Sequence, residues 1–194
     1  MQAARGASLS PSDPADQQTR PAPASSRPFV LGFLAIAVLA WGVDQVTKHL
    51  AVDRLTNHPP VHVVGALLQL NLTRNPGAAF STGTGFTQVF SVVAIAATLV
   101  ILWFGRRVRT TLWALGLGLL LAGVTGNLTD RLFRTPGPLR GHVVDFLMLP
   151  HWPIFNVADI CINIAAAVIV VQALRGVRIN GSRGDSRAPN AGES

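Results

Sequence analysis

The sequence predicts a mainly α-helical integral membrane protein, with four transmembrane helices and a small β-rich segment outside the membrane. Three observations support this fold class. Only 13% of the 194 residues are charged and 49% are hydrophobic, whereas soluble domains carry about 25% charged residues. Four apolar runs are long enough to cross a bilayer. Arginine residues cluster beside these runs, as they do at the cytoplasmic ends of membrane helices.

The charge distribution predicts the orientation in the membrane. In a soluble protein, a net charge of +7 would favour a nucleic-acid partner. Here ten of the sixteen Lys and Arg residues lie in the two termini and in the loop 106–109, beside the apolar runs. The other six lie on the opposite side. This asymmetry predicts cytoplasmic termini, two long outer loops and no nucleic-acid partner.

The N-terminal part predicts a tail followed by a membrane anchor. Residues 1–28 are rich in Pro, Ala, Ser and Gln without apolar periodicity, which predicts a disordered cytoplasmic tail. The first span covers about 29–52. It contains Asp44 and Lys48, and no clear small-residue cleavage site follows it. A retained signal-anchor helix is therefore favoured over a cleaved signal peptide.

The outer segment 53–85 is polar and predicts the β-rich part. Within it, Leu68, Leu70 and Leu72 alternate with polar residues, which is typical of a half-buried strand. The short run 61–64 is a candidate pairing partner for this strand. Residues 75–77 read Asn-Pro-Gly and predict a tight turn.

Three further spans are predicted at about 86–104, 112–128 and 156–174. In the third span, Gly118, Ala122 and Gly126 recur at a spacing of four, which lets another helix approach closely. The membrane domain thus covers 29–174. A second disordered cytoplasmic tail is predicted for 175–194.

The carboxylates of the membrane domain are the strongest functional signal. All five acidic residues between positions 29 and 174 are aspartates: Asp44, Asp53, Asp130, Asp145 and Asp159. The predicted topology places all of them at the outer face, and ionisable groups at membrane depth are functional candidates by default. When two carboxylates share a site, one keeps a proton while the other acts as a base on water. The histidines show no metal-ligand spacing, so no metal or cofactor is predicted.

Structural roles compete with functional ones for most of these residues. Asp44 and Lys48 are spaced i,i+4 and an ion pair alone would explain them. Asn156 and Asp159 have the spacing of a helix cap. Asp145 is harder to explain structurally, because its neighbours in sequence are apolar and carry no cation. For the cluster at the end of the third span, both readings stay open: it either ties the helix to the loop or belongs to a site. The cluster comprises Asn127, Asp130 and Arg131.

Five motifs resemble the signal peptidase II family, the bacterial lipoprotein signal peptidases, over roughly residues 41–167. They are Asp-Gln-Val-Thr-Lys at 44–48, Asn-Pro-Gly-Ala-Ala-Phe-Ser at 75–81, Gly-Asn-Leu-Thr-Asp-Arg at 126–131, Gly-His-Val-Val-Asp-Phe at 141–146 and Phe-Asn-Val-Ala-Asp at 155–159. Each motif alone is weak, whereas all five in order are highly specific. The segment 134–140 looks longer than the usual link in this family, and the link between positions 145 and 159 looks shorter.

The resemblance implies an aspartic endopeptidase of the bacterial cytoplasmic membrane, with its active site near the outer face and an extracytoplasmic β-rich cradle. Its substrates would be diacylglyceryl-modified prolipoproteins, cut before the lipidated cysteine, by a catalytic pair formed by Asp145 and Asp159. The supporting and substrate-binding residues implied by the resemblance are Asp44, Lys48, Asn75, Gly77, Asn127, Asp130, Arg131 and Asn156.

Two further expectations concern partners and an alternative function. Membrane phospholipid is expected as a partner through Arg131 and the outer arginines, and a monomer is expected. The alternative function is a small membrane transporter or proton-conducting protein that uses intramembrane carboxylates. Carboxylates midway along several spans would favour that alternative, whereas the predicted topology crowds them at one interface.

Overall fold

The computed structural model describes residues 27–77 and 86–183. The elements are α1 (Arg27–Leu55), β1 (Val61–Val64), β2 (Leu68–Asn75), α2 (Thr87–Gly105), α3 (Thr111–Phe133), β3 (Val143–Met148) and α4 (Val157–Leu174). All four helices are long and apolar enough to cross a membrane. The predicted fold class, four membrane helices with a small β-rich part, is thus confirmed. The segments predicted to be disordered lie outside the described residues, apart from residues 27–28 and 175–183.

The central element is α3, which packs against α1, α2 and α4. Its glycines lie where the neighbouring helices come closest. A Cβ at Gly118 would lie 2.9 Å from the Phe33 carbonyl oxygen of α1, and one at Gly123 would lie 2.5 Å from the Ala158 carbonyl oxygen of α4. Gly126 is equally crowded by Asp44. The close helix approach predicted from the row of small residues is therefore confirmed.

The β-rich part is an antiparallel sheet in the order β1-β2-β3. The pairing of β1 with β2 agrees with the sequence prediction. The third strand, β3, differs from the prediction, which placed Asp145 in an outer loop. In the structure Asp145 is paired with Thr73 of β2. The sheet rests on the end of α1, where Val144 and Phe146 of β3 contact a buried cluster that includes Leu55.

The third helix continues five residues beyond the predicted end at 128. Asp130 and Arg131 therefore lie in its last turns, in helical register with Asn127, rather than beyond the helix. The capping arrangement predicted for the next helix is present: the Asn156 side chain accepts the Asp159 N–H at 3.0 Å, and Asp159 accepts the Asn156 N–H at 3.0 Å.

The disorder expected for 175–194 stays a prediction, and the described part of that segment, residues 175–183, forms a turn bridged between Val177 and Arg183. This turn is tied to the start of α3. The Trp113 indole N–H donates to the Val177 carbonyl at 3.0 Å, and the Arg109 N–H donates to the Ile179 carbonyl at 3.1 Å. Val177 and Ile179 also pack against the buried cluster at this end of the bundle.

Candidate active site

A cavity of about 460 Å³ opens where β2, β3 and the adjoining ends of α3 and α4 meet. Both aspartates predicted to be catalytic, Asp145 and Asp159, line it. The other predicted site residues that line it are Asn75, Gly77, Asn127 and Arg131. The remaining four predicted residues, Asp44, Lys48, Asp130 and Asn156, are almost fully buried. The structure therefore joins the ten predicted residues into one cavity and a polar layer beneath it.

Asp145 lies on β3 and only 3% of its surface is exposed. Two amides hold its carboxylate: Asn75 Nδ2 donates at 3.0 Å and Asn156 Nδ2 donates at 2.6 Å. Burial, followed by the negative charge of Asp159, raises the pKa of Asp145 to about 7. The two amide donors and Lys48 lower this pKa but do not offset the burial. Asp145 is thus a carboxyl group that can hold a proton close to neutral pH.

Asp159 lies in the first turn of α4, and each of its oxygens has a donor. Asn127 Nδ2 donates to Oδ1 at 2.9 Å, and the Asn156 backbone N–H donates to Oδ2. The helix dipole favours a negative charge at this position. Asp159 therefore both caps α4 and lines the cavity, and its predicted catalytic role stays a prediction.

The two aspartates are linked through two amides. Asn156 Nδ2, which donates to Asp145, also lies 3.1 Å from Asn127 Oδ1, while Asn127 Nδ2 donates to Asp159. The orientation of Asn127 is fixed by Lys48, whose ammonium group can only donate and lies 3.0 Å from Oδ1. The amide nitrogen of Asn127 must therefore face Asp159.

Lys48 is completely buried and forms two ion pairs, with Asp44 at 3.0 Å and with Asp130 at 2.9 Å. Asp130 also pairs with Arg134. Breaking such a buried cluster by removal of one partner is typically destabilising by about 3–5 kcal/mol. The ion pair predicted between Asp44 and Lys48 is present, and it belongs to a larger cluster that joins α1 to α3.

The same cluster holds the backbone next to each aspartate of the cavity. Asp130 accepts the Val144 N–H at 3.2 Å, and Val144 directly precedes Asp145. Asp44 accepts the Ala158 N–H at 2.9 Å, and Ala158 directly precedes Asp159. The positions of both aspartates are thus set from beneath by carboxylates on two other helices.

Arg131 brings a positive charge to the cavity. Its guanidinium donates to the carbonyls of Gly77 and Asn127, both at 3.3 Å. Its Nε has no hydrogen-bond partner among the described residues. Within residues 27–77 and 86–183, no group of three or more His, Cys, Asp or Glu side chains is placed to hold a metal ion.

Sequence reasoning missed the apolar wall of the cavity. This wall is formed by residues 152–155, which read Trp-Pro-Ile-Phe, and by Ile160 and Ile164 of α4. Trp152 is 65% exposed, which is unusual for so large an aromatic side chain. The available signal was the apolar and aromatic run 152–155, which directly precedes the Asn156 and Asp159 of a candidate site motif.

Comparison with known proteins identifies the family. A family model described as signal peptidase (SPase) II matches residues 36–175, well over half of the chain. The chain belongs to the signal peptidase II family. It is therefore a peptidase, and the alternative of a transporter or proton-conducting protein is set aside.

Two curated relatives show how close the family resemblance is. A lipoprotein signal peptidase of Mycolicibacterium smegmatis is 48% identical over 165 residues, which cover 83% of this chain and 70% of the relative. A lipoprotein signal peptidase of Mycobacterium tuberculosis is 48% identical over 143 residues, covering 74% of this chain and 71% of the relative.

A solved structure agrees at the level of the fold. A bacterial membrane enzyme determined at 2.3 Å resolution matches with a TM-score of 0.67 and 26% identity, covering 82% of this chain and 96% of that one. The four membrane helices and the small sheet are thus an architecture known for a bacterial membrane enzyme, and in this signal peptidase II the candidate site lies where the two parts meet.

Proposed function

We propose that this signal peptidase II removes signal peptides from prolipoproteins by the attack of a water molecule, with Asp145 and Asp159 as the catalytic pair. The observation that carries the proposal is the convergence of two aspartates from β3 and α4 on one cavity. One of them has a pKa of about 7 because of burial and the charge of the other. This is the condition under which a carboxyl acid and a carboxylate base coexist at neutral pH.

Each member of the pair has a distinct role. Asp159 accepts two N–H donors at a helix N-terminus, which suits the carboxylate that takes a proton from the attacking water. Asp145 is protonated when the reaction begins and donates its proton to the carbonyl oxygen of the scissile peptide. The oxygen–carbon bond that forms gives a tetrahedral intermediate. Its collapse breaks the carbon–nitrogen bond. The leaving amine takes the proton that Asp159 had accepted from the water, and one hydroxyl of the intermediate returns a proton to Asp145 as the new carboxyl group forms.

The cavity wall fits a lipid-modified substrate. Trp152 is 65% exposed and Ile164 is 46% exposed beside the two aspartates. We expect these side chains to contact the diacylglyceryl group on the cysteine that follows the scissile bond. The acyl chains would then stay in the bilayer while the peptide bond reaches the polar end of the cavity, with Arg131 available for a nearby phospholipid phosphate.

The proposed setting is the bacterial cytoplasmic membrane, with both termini in the cytoplasm and the cavity near the outer face. The support is the excess of Lys and Arg in the termini and in the loop 106–109. A single chain contributes both aspartates and the whole amide link between them, so a monomer is sufficient for the reaction.

The test is cleavage of a diacylglyceryl-modified prolipoprotein by the purified protein in detergent. Asp145→Asn and Asp159→Asn are each expected to reduce cleavage by at least about 10³-fold, because an amide can serve neither as proton donor nor as base in this pair. Asp53→Asn is the matched control, since this exposed aspartate lies outside the cavity at the end of α1. Its activity should equal that of the wild type.

A sample of wild type with a chelator completes the experiment, and its activity should be unchanged. Full activity in either cavity variant would remove that residue from the pair. A folded wild type that cleaves only when a metal is supplied would contradict the two-carboxylate mechanism.

A further inference from the structure

A second cavity, of about 390 Å³, lies at the opposite end of the bundle from the two aspartates. Its wall is formed by the start of α3, the end of α4 and the turn 175–183. Because α3 and α4 each run from one membrane face to the other, this cavity lies at the interface opposite the active site. It shares no residue with the cavity that holds Asp145 and Asp159.

The wall of this second cavity is built to attract an anion. Arg175 and Arg183 line it, and within residues 27–77 and 86–183 no carboxylate lies within ion-pair distance of either. Thr111 and Leu112, in the first turn of α3, also line it. Free N–H groups at the start of a helix and the helix dipole favour a bound anion. The N–H of Trp113, by contrast, is occupied by the Thr110 side chain.

An unpartnered polar atom in the cavity wall indicates which group the ligand carries besides its negative charge. Gln172 lines the cavity and only 3% of its surface is exposed, yet its Oε1 has no hydrogen-bond partner among the described residues. Buried polar atoms in folded proteins are nearly always hydrogen-bonded. An amide oxygen accepts hydrogen bonds, so the missing partner is a donor such as a hydroxyl group.

The cavity is a formed feature of the fold. The turn 175–183 that closes it is fixed to the start of α3 by the bonds from Trp113 and Arg109 to the carbonyls of Val177 and Ile179. Leu112, which lines the cavity, is 40% exposed, and Leu174, which precedes the lining residue Arg175 in sequence, is 83% exposed. At a membrane interface such side chains contact acyl chains.

We propose that this cavity binds an anionic phospholipid whose headgroup carries hydroxyl groups, at the membrane face opposite the active site. The phosphate lies between Arg175 and Arg183 at the start of α3, a headgroup hydroxyl donates to Gln172 Oε1, and the acyl chains lie along Leu112 and Leu174. The exposed leucines and the interfacial position favour a lipid over a soluble phosphate. The proposal is independent of the catalytic assignment.

The test is native mass spectrometry of the full chain in detergent, titrated with dioleoyl phosphatidylglycerol or dioleoyl phosphatidylcholine. One phosphatidylglycerol is expected to bind in this cavity at least about tenfold more tightly than the phosphatidylcholine. Glycerol 1-phosphate, which has the phosphate and hydroxyls without acyl chains, distinguishes a lipid site from a soluble-phosphate site. It is expected to compete poorly.

Two variants and one control localise the binding. The double variant Arg175→Gln and Arg183→Gln should lose the preference for phosphatidylglycerol, and Gln172→Leu should weaken it severalfold while leaving the charge unchanged. The control, Arg106→Gln with Arg178→Gln, makes the same charge change outside the cavity wall and should keep the preference. All variants should still cleave substrate in lipid-free detergent, which shows that they fold.

Three outcomes would overturn the proposal. An equal loss in the control variant would mean that surface charge alone attracts the lipid. Equal binding of the two phospholipids would show that the cavity does not select an anionic headgroup. Competition by glycerol 1-phosphate at the same concentration as phosphatidylglycerol would assign the cavity to a soluble phosphate.

Discussion

At the scale of single residues, the proposed mechanism depends on how the protein keeps one proton between two aspartates. Asp145 is buried against apolar neighbours on β3, and Asp159 is held by donors from a cap and an amide. Asn75 and Asn156 limit how far the Asp145 pKa rises. The amides therefore tune the acid as well as fix its position.

The raised pKa of Asp145 predicts the alkaline side of the pH profile. In the proposed mechanism the active form carries one proton on the pair, and Asp145 loses it as the pH rises through about 7. We expect kcat/KM to fall about tenfold per pH unit above that value. Asn75→Leu removes a donor that lowers this pKa, so the falling limb should move to higher pH. Asn71→Leu on the same strand is the control, because Asn71 contacts Met148 rather than the cavity.

The same shift affects stability with a defined sign. Between the unperturbed value of 3.8 and about 7, the folded protein binds a proton at Asp145 that the unfolded chain has released. This group therefore stabilises the fold less as the pH rises through that window.

The pH profile of Asn75→Leu can also contradict the assignment of this pKa. If the alkaline limb of its kcat/KM profile lies at the same pH as in the wild type, the pKa of about 7 does not belong to Asp145.

The buried lysine predicts a coupling of stability and activity. Lys48→Met removes the cation shared by Asp44 and Asp130 and leaves two buried carboxylates without it. We expect a destabilisation of about 3–5 kcal/mol, seen as a lower unfolding temperature in detergent. Cleavage should fall as well, because both carboxylates hold the backbone beside the catalytic pair. An unfolding temperature equal to that of the wild type would show that the ion cluster contributes little to the free energy of unfolding.

At the scale of elements, the position of α4 against α3 decides where Asp159 lies. Gly123 leaves no room for a side chain, since a Cβ would approach the Ala158 carbonyl oxygen to 2.5 Å. Ala158 directly precedes Asp159, so a shift of Ala158 would also move the proposed catalytic carboxylate. The close contact between α3 and α4 at Ala158 thus helps to set the position of Asp159.

Gly123→Ala is therefore expected to reduce both the unfolding temperature and the cleavage rate, although alanine favours a helix over glycine by about 1 kcal/mol. Gly42→Ala is the matched control on α1, where nothing lies within 4 Å of the added Cβ. It should be neutral or slightly stabilising. Equal effects of the two substitutions would mean that the close α3–α4 contact does not position the site.

The elements also show what sequence reasoning could and could not establish. The four spans and the pairing of β1 with β2 follow from hydropathy and alternation, which are local properties. Strand β3 does not, because Val143–Met148 is a short apolar run that pairs with a strand far away in sequence. For the same reason the sequence brings Asp145 and Asp159 together only through family resemblance, whereas the amide link through Asn127 requires the fold.

At the scale of the whole molecule, the two ends of the bundle have different character. One end carries the sheet, the buried carboxylates and the candidate active-site cavity. The other end carries Arg106, Arg107 and the turn 175–183. This difference sets the expected orientation in the membrane.

Orientation is measured by labelling single introduced cysteines with a membrane-impermeant maleimide. Thr56→Cys, at the sheet end, should react in intact cells, and Arg178→Cys should react only after permeabilisation. The wild type is the control, since its only cysteine, Cys161, is buried and should stay unlabelled. The reverse pattern would invert the proposed topology.

The ion cluster beneath the active site has a consequence for biosynthesis. Within α1, Lys48 already has Asp44 one helical turn away, and Asp130 has Arg134 one turn further along the chain. Each segment can therefore leave the translocon with its buried charge compensated by its own neighbour, although an unpaired charge at a helix centre would oppose insertion by about 3 kcal/mol. The pairing of Lys48 with Asp130 forms only when both segments are in the bilayer, so helix assembly itself completes the support of the two aspartates in the cavity.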